Sequence, residues 1–248
     1  MRLDKFLSTT ATATRSEAGK AARKGQILVN GVPIKDPSVH IDPDMDVVEY
    51  CGEKISYRRY TYVMLNKPMG YVSATEDGRD KTVLELLPEK LRGIGLFPCG
   101  RLDKNTVGLM LLTDDGELGH KLLAPKNHVS KTYGFKCEVV LSPEDVERLE
   151  NGVYIAGGYL TKPARVRLAP SGTEGEITIT EGKYHQIKLM LEAVKNKITE
   201  LERLSFGPLV KDDSLARGEW RYLSDTEIEM LREHCIKEKR NGENNGHY

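Results

Sequence analysis

Cysteine is scarce in this sequence of 248 residues: there are four, and none belongs to a C-x-x-C pair. The six histidines are scattered, and none lies at a metal-ligand spacing from a cysteine. Zinc sites need clustered cysteine and histidine ligands, and disulfide frameworks are typical of short secreted chains. The sequence argues against both, so we expect no metal site and a reducing compartment.

Long apolar runs are also missing. The longest strongly apolar run, residues 107–112, is interrupted by Gly108, whereas a membrane-spanning helix needs about 20 apolar residues. Residues 1–5, MRLDK, do not open the apolar stretch of a signal peptide. We expect a soluble, cytoplasmic protein with no membrane partner.

Net charge of one sign is absent, because 37 Lys and Arg residues balance 37 Asp and Glu residues. A net charge of zero argues weakly against a nucleic-acid partner, since phosphate binding needs positive surface. The balance is local, however. Residues 1–35 contain seven basic and two acidic residues, and residues 36–53 contain six acidic residues and no Lys or Arg. The chain is therefore predicted to begin with a basic module that is followed by an acidic segment.

Residues 1–55 have the pattern of a small α/β module. Thr14 and Glu17 fit a capping box at the start of a helix that Gly25 is expected to end. A strand is predicted at residues 26–29, followed by a tight turn at Asn30-Gly31. On the helix, alanines fall on one side and basic residues on the other, which makes the basic side a candidate phosphate-binding face: Lys20, Arg23 and Lys24.

From residue 61 onward, short strands are mixed with helices. Strands are predicted at residues 62–65, 107–113, 133–140 and 177–180, and helices at 83–87, 143–149 and 185–194. Residues 56–60 are polar and suit a linker. Residues 237–248 are polar and rich in Asn and Gly, so a disordered tail is predicted there.

Three segments could carry chemistry. Residues 100–116 place Arg101 and Asp103 on a loop that leads into an apolar strand, and reactive groups often lie on loops held by rigid elements. Residues 182–190 form a basic turn that enters an amphipathic helix, where an anion could bind. Tyr133 begins a strand and could stack on a base. The structural alternatives are an Arg–Asp pair that caps a turn, a solvated charged face, and a core aromatic.

Taken together and in order, these segments resemble the bacterial ribosomal RNA pseudouridine synthases that carry an N-terminal S4-type RNA-binding domain. The S4-type features are R-S-E-A at residues 15–18 and G-Q-I-L-V-N-G at 25–31. The family's N-K-P-x-G-x-V-S segment is found at residues 66–73, and G-R-L-D-x-x-T-x-G-L-x-L-L-T at 100–113. K-x-Y at 131–133 and E-G-x-x-x-Q-[VI]-[KR] at 181–188 complete the resemblance.

The resemblance implies an α+β protein: a small N-terminal S4-like α/β module, and a catalytic domain with a mixed, mostly antiparallel sheet flanked by helices. We assign residues 1–55 to the S4-like module, 56–60 to the linker, 61–236 to the catalytic domain and 237–248 to the tail. The activity implied is isomerisation of uridine to pseudouridine. No redox step occurs and no group is imported, so no cofactor is expected.

The resemblance also implies residue roles. Asp103 matches the family's essential nucleophilic aspartate, and Lys188 the basic residue that pairs with it. Tyr133 matches the tyrosine that stacks on the target base, and Arg101 the arginine that fills the gap left by a flipped nucleotide. The remaining candidate RNA-binding residues lie on the basic helix and on the turn before the last predicted helix: Arg15, Lys20, Arg23, Lys24, Lys183, His185 and Gln186.

Two residues depart from the family's pattern. Leu189 stands where many relatives carry a second arginine, and Lys195 where many carry glycine. Both put RNA affinity in doubt but leave the matched catalytic positions untouched.

The substrate is predicted from two further segments. L-T-K-P-A at residues 160–164 and Y-H-Q at 184–186 resemble the small-subunit enzymes of the family, which implies 16S ribosomal RNA or a small-subunit assembly particle as partner of a monomer. Large-subunit 23S RNA is the alternative target. A non-catalytic RNA-binding or ribosome-assembly factor is the alternative function. An unrelated hydrolase is a third possibility, but no G-x-S-x-G or H-E-x-x-H segment supports it.

Overall fold

The computed structural model describes residues 1–10, 12–43, 45–55 and 59–243. The chain forms two compact units, Met1–Arg59 and Tyr60–Tyr248. Residues 56–58 of the predicted linker and residues 244–248 of the predicted tail lie outside the described residues. No helix in the described ranges is both long enough and apolar enough to cross a membrane.

The first unit combines two helices with a small antiparallel sheet. Its helices are α1 (Leu3–Thr9) and α2 (Arg15–Arg23), and its strands, with the sheet order β2-β1-β3-β4, are β1 (Ile27–Val29), β2 (Val32–Pro33), β3 (Val48–Tyr50) and β4 (Glu53–Ile55). The predicted capping box is confirmed, because Thr14 N donates to Glu17 Oε2 at 2.7 Å and Glu17 N to Thr14 Oγ1 at 3.3 Å. Asn30 and Gly31 both have positive φ, which the tight turn between β1 and β2 requires.

Helix α2 has the two sides that the sequence predicts. Ala18, Ala21 and Ala22 are buried in the core of the first unit. Four basic side chains of this region are exposed: Arg15, Lys20, Arg23 and Lys24.

The second unit contains a nine-stranded mixed sheet. Seven strands follow the order β11-β12-β8-β13-β7-β5-β15, with β6 paired to β7 and β14 to β13. Only the β13–β7 pair is parallel, so the predicted mixed, mostly antiparallel sheet is confirmed. The strands are β5 (Tyr62–Lys67), β6 (Phe97–Pro98), β7 (Val107–Thr113), β8 (Lys131–Cys137), β11 (Arg165–Leu168), β12 (Glu174–Ile179), β13 (Ile198–Phe206), β14 (Leu209–Val210) and β15 (Trp220–Tyr222); β9 (Tyr154–Ile155) and β10 (Tyr159–Leu160) form a separate hairpin.

Side chains alternate between the two faces of the sheet along each strand, and helices cover both faces. One buried cluster includes Leu149 of α5 (Pro143–Asn151) and Met190 of α6 (Gln186–Ala193). The other includes Leu122 of α4 (Gly116–Leu123) and Leu231 of α7 (Asp225–Glu243). The short α3 (Glu89–Arg92) and two 3-10 turns, Val83–Leu86 and Pro125–Asn127, complete the unit.

Several predicted elements differ from the observed ones. The predicted helix at residues 83–87 is the 3-10 turn Val83–Leu86, which is too close to Pro88 to continue. The predicted strand 133–140 ends at Cys137, because the Asn196 side chain bonds both backbone groups of Val139 in place of a neighbouring strand.

The predicted tail is partly helical. Helix α7 extends to Glu243 and so includes residues 237–243, for which the composition predicts disorder. The run of Lys, Glu and Arg at residues 237–240 explains the difference, since these residue types favour helix even where a segment has no apolar face.

Candidate active site

Asp103 lies on the loop that enters β7, and its carboxylate meets the start of α6. Lys188 Nζ lies 2.5 Å from Asp103 Oδ2, and His185 Nε2 lies 3.4 Å from Asp103 Oδ1. Lys188 also donates to Asn105 Oδ1 at 2.8 Å, which ties the ammonium to the same loop. An adjacent ammonium favours an ionised carboxylate, the form a nucleophile needs.

A second lysine holds the backbone of this loop. Lys67, at the end of β5, is fully buried. Its Nζ donates to the carbonyl oxygens of Thr106 at 2.7 Å, Asp103 at 3.0 Å and Pro68 at 3.2 Å. Burial lowers the pKa of Lys67 to about 8, with Arg203 and Lys188 acting in the same direction and Asp103 opposing them.

Two further contacts fix the loop to residues 66–73. Ser73 Oγ donates to Leu102 O at 2.8 Å and accepts from Leu102 N at 2.9 Å, and Gly70 N donates to Lys104 O at 2.8 Å. The N-K-P-x-G-x-V-S segment therefore supports the Asp103 loop.

Tyr133 lies on β8, opposite Arg203 of β13. Its side chain faces the core, and the residue is only 7% exposed. Burial raises the pKa of the Tyr133 phenol, an effect that the nearby Arg203 only partly offsets. The phenol is therefore protonated at neutral pH, which suits a hydrogen-bond donor better than a proton acceptor.

Arg203 is a buried cation that sequence reasoning missed. It is 1% exposed, its Nε donates to Leu109 O at 2.7 Å, and its guanidinium lies 5.1 Å from the centroid of the Phe206 ring. Its strand runs so close to β7 that a Cβ at Gly108 would lie 2.4 Å from Arg203 O. The glycine of the T-x-G-L segment is thus required for the approach of the two strands beside Asp103.

Gln186 is placed differently from its prediction. It is 4% exposed; its Nε2 donates to Glu181 Oε1 at 2.7 Å, and its Oε1 accepts from Lys183 N at 2.8 Å. A buried amide with both ends bonded inside the protein is at odds with the predicted RNA contact. The residue instead fixes the turn before α6.

Glu181 anchors this turn. Burial raises the pKa of its carboxyl group, but hydrogen bonds from Tyr159, the Lys162 N–H and Gln186 outweigh burial and leave the pKa below its usual value. Lys183 is exposed, with its Nζ 4.4 Å from the centroid of the Tyr159 ring.

The other predicted positions are solvent-facing or backbone-specific. Arg101 is exposed, two residues before Asp103. Leu189 is partly buried and packs against the core. Lys195 follows α6 with a φ of 59°, the left-handed conformation that explains why glycine suits this position.

The basic residues of α2 belong to the first unit, whereas Asp103, Tyr133 and Lys188 belong to the second. Within the described residues, no group of three or more His, Cys, Asp or Glu side chains could hold a metal ion.

Comparison with known proteins relates both units to characterised families. Residues 61–193 match the RNA pseudouridylate synthase family, and residues 1–48 match the S4 domain. The chain is 47% identical over 237 residues to "Uncharacterized RNA pseudouridine synthase YtzG" of Bacillus subtilis, covering 94% of this chain and 99% of that protein. It is 38% identical over 230 residues to "Ribosomal small subunit pseudouridine synthase A" of Escherichia coli K12, covering 92% and 98%.

A solved structure has the same fold. The protein described as "Crystal structure of pseudouridylate synthase" is 37% identical and superposes with a TM-score of 0.66, covering 93% of this chain and 99% of that one.

Proposed function

This chain belongs to the RNA pseudouridylate synthase family, and on that basis we propose that it isomerises a uridine of small-subunit ribosomal RNA to pseudouridine. The small-subunit target rests on relatives such as the E. coli enzyme, whose name states that substrate. The single observation that carries the activity is the Asp103 carboxylate, whose Oδ2 lies 2.5 Å from Lys188 Nζ, on a loop fixed by a buried lysine.

The reaction breaks the bond between N1 of uracil and C1′ of ribose and forms a bond between C5 and C1′. C5 loses a proton and N1 gains one, so the atoms balance without a cofactor. Asp103 acts as the nucleophile while the glycosidic bond is broken, and Lys188 holds the carboxylate through the 2.5 Å ion pair.

Tyr133 supports the target base. The uridine must leave its stack at a cost of a few kcal/mol, and stacking on an aromatic ring returns about 1–3 kcal/mol. Its protonated phenol can also donate a hydrogen bond to the base. Arg101, exposed beside Asp103, occupies the space left by the flipped nucleotide.

RNA affinity comes from positive groups on both units. We assign residues 1–55 to RNA binding through the exposed face formed by Arg15, Lys20, Arg23 and Lys24, and residues 61–236 to catalysis. Lys183 and His185 contact RNA next to the catalytic carboxylate. A monomer acting on a small-subunit assembly particle in the cytoplasm remains our expectation.

The main competing functions are the same reaction on large-subunit RNA and a non-catalytic RNA-binding role. The retained Asp103, Tyr133 and Lys188 argue against the second, since binding alone does not need a carboxylate paired with an ammonium.

The proposal is tested by incubating the purified protein with unmodified small-subunit RNA, a partly assembled small-subunit particle and large-subunit RNA, each labelled with tritium at C5 of uridine. We expect tritium release from the first or second substrate only. Release from large-subunit RNA alone would overturn the target, and release from none would overturn the activity.

A further inference from the structure

Tyr184 is an aromatic residue that the proposed reaction does not use. It is 79% exposed, and its ring stacks on that of His185, with centroids 3.8 Å apart and an angle of 18° between the planes. One face of the tyrosine is therefore covered by the imidazole, while most of the ring is open to solvent. Exposed aromatic rings are common on protein surfaces, so exposure alone does not indicate a binding site. The position of Tyr184 relative to the catalytic residues is the stronger evidence.

The stacked pair lies at the edge of the catalytic centre. His185 Nε2 is 3.4 Å from Asp103 Oδ1, while the face of the imidazole stacks on the Tyr184 ring, so His185 contacts both the carboxylate and the tyrosine. The uracil that reacts must reach Asp103 itself. A base lying on the far side of the pair would consequently belong to a different nucleotide.

The pair is held by a rigid turn. His185 has a φ of 50° and precedes α6 directly. Buried Gln186 bonds both Lys183 N and the Glu181 carboxylate, which precede the pair in the same turn. An aromatic surface that is already ordered before binding loses less conformational entropy when a ligand stacks on it.

RNA opened for this reaction supplies a suitable ligand. Extruding one uridine removes a stacking partner from its neighbours, and single-stranded bases stack on aromatic side chains regardless of sequence. Resting on the function proposed above, we propose that Tyr184 and His185 form a stacking surface for the nucleobase adjacent to the flipped uridine.

The full-length protein allows a direct test. The RNA is a short fragment of small-subunit RNA centred on the uridine that the wild-type protein modifies. Tyr184→Ala should weaken binding about 5- to 140-fold, which is a stacking energy of about 1–3 kcal/mol converted at 1.4 kcal/mol per tenfold. Tyr184→Phe should bind within about twofold of wild type, since the ring is kept.

Tyr154 provides the matched control, because it is 70% exposed in the same unit and lies on the β9–β10 hairpin. Tyr154→Ala should bind RNA like the wild type. An equal loss for Tyr154→Ala and Tyr184→Ala would mean a general effect of removing a surface aromatic, and would overturn the proposal.

Abasic RNA identifies the base that is bound. Fragments lacking the base on the 5′ or the 3′ side of the target are compared, and the penalty of Tyr184→Ala should vanish on one of them. A penalty that persists on both, or no penalty on intact RNA, overturns the stacking surface while normal wild-type turnover leaves the enzymatic function standing. A wild-type protein that modifies no ribosomal RNA overturns both.

Discussion

Two segments of the second unit contact the Asp103 loop: one bonds its backbone, and the other contacts the Asp103 carboxylate. Residues 66–73 lie on the buried side and bond the loop backbone, through Lys67 to the Asp103 carbonyl at 3.0 Å and through Ser73 to Leu102. Residues 181–188 lie on the more open side and meet the carboxylate, through Lys188 at 2.5 Å and His185 at 3.4 Å. Placing the loop and contacting its carboxylate are therefore separate functions, and substitutions should separate stability from turnover.

Lys67→Met should have the largest effect on the folded protein. Methionine fills the space of the side chain but removes the ammonium that donates to the buried carbonyl of Thr106, whereas the Asp103 carbonyl keeps its bond from Thr106 N. An unsatisfied buried group costs about 1–3 kcal/mol, so we expect the free energy of unfolding measured in urea to fall by about that amount. Turnover should fall as well, because the loop loses its support.

Lys104→Met is the matched control for that change. Lys104 lies on the same loop, but its Nζ pairs with Asp80 at the surface, and surface pairs contribute about 0–1 kcal/mol. Equal losses of stability for the two variants would contradict the supporting role of Lys67.

Lys188→Met should have the opposite pattern: a large loss of turnover and a small change in stability. The side chain reaches Asp103 from the partly exposed start of α6, so stability should change little. The rate of the chemical step should fall about 100-fold, as it does when a group that stabilises charge in an active site is removed. Lys188→Arg, which keeps the positive charge, should recover most of the rate; single-turnover kinetics distinguish these outcomes from a binding defect.

The stability contributed by Lys67 should depend on pH. Because its pKa is about 8 in the folded protein and about 10.4 in an unfolded chain, the unfolded state binds more protons between these values. Stability then rises with pH in this window. The stability of the wild type relative to Lys67→Met should therefore increase from pH 8 to pH 10, with urea unfolding as the measurement. A constant difference would show that the ammonium carries no burial penalty.

Substitutions in the first unit should have the smallest effect on the rate of the chemical step. Replacing Lys20, Arg23 and Lys24 by alanine removes three exposed cations and should raise KM with kcat unchanged. The dependence of binding on salt should flatten by about 0.7 for each single-strand phosphate contact that is lost. An unchanged slope would assign these residues to solubility alone.

The sequence predicts some parts of the site better than others for physical reasons. The capping box at Thr14 and strand β7 depend on local pattern, and both were predictable. The Lys67 and Arg203 contacts join positions 39 and 94 residues apart in the chain. A local sequence pattern cannot predict contacts at such separations. The basic residues around Gln186 predict a surface position for it. In the structure its side chain is buried and bonded to the Glu181 carboxylate.

The proximity of Asp103 and Lys188 was implied by family resemblance, and the structure places the two side chains together.

The most direct test is pseudouridine formation by Asp103→Asn under single-turnover conditions on the RNA that the wild type modifies. The amide keeps the shape of the side chain and removes the nucleophile, and Asp80→Asn on the surface serves as a control. We predict turnover below about 1% of wild type, with RNA binding and unfolding unchanged. Turnover close to that of the wild type would contradict the assignment of Asp103 as the catalytic carboxylate.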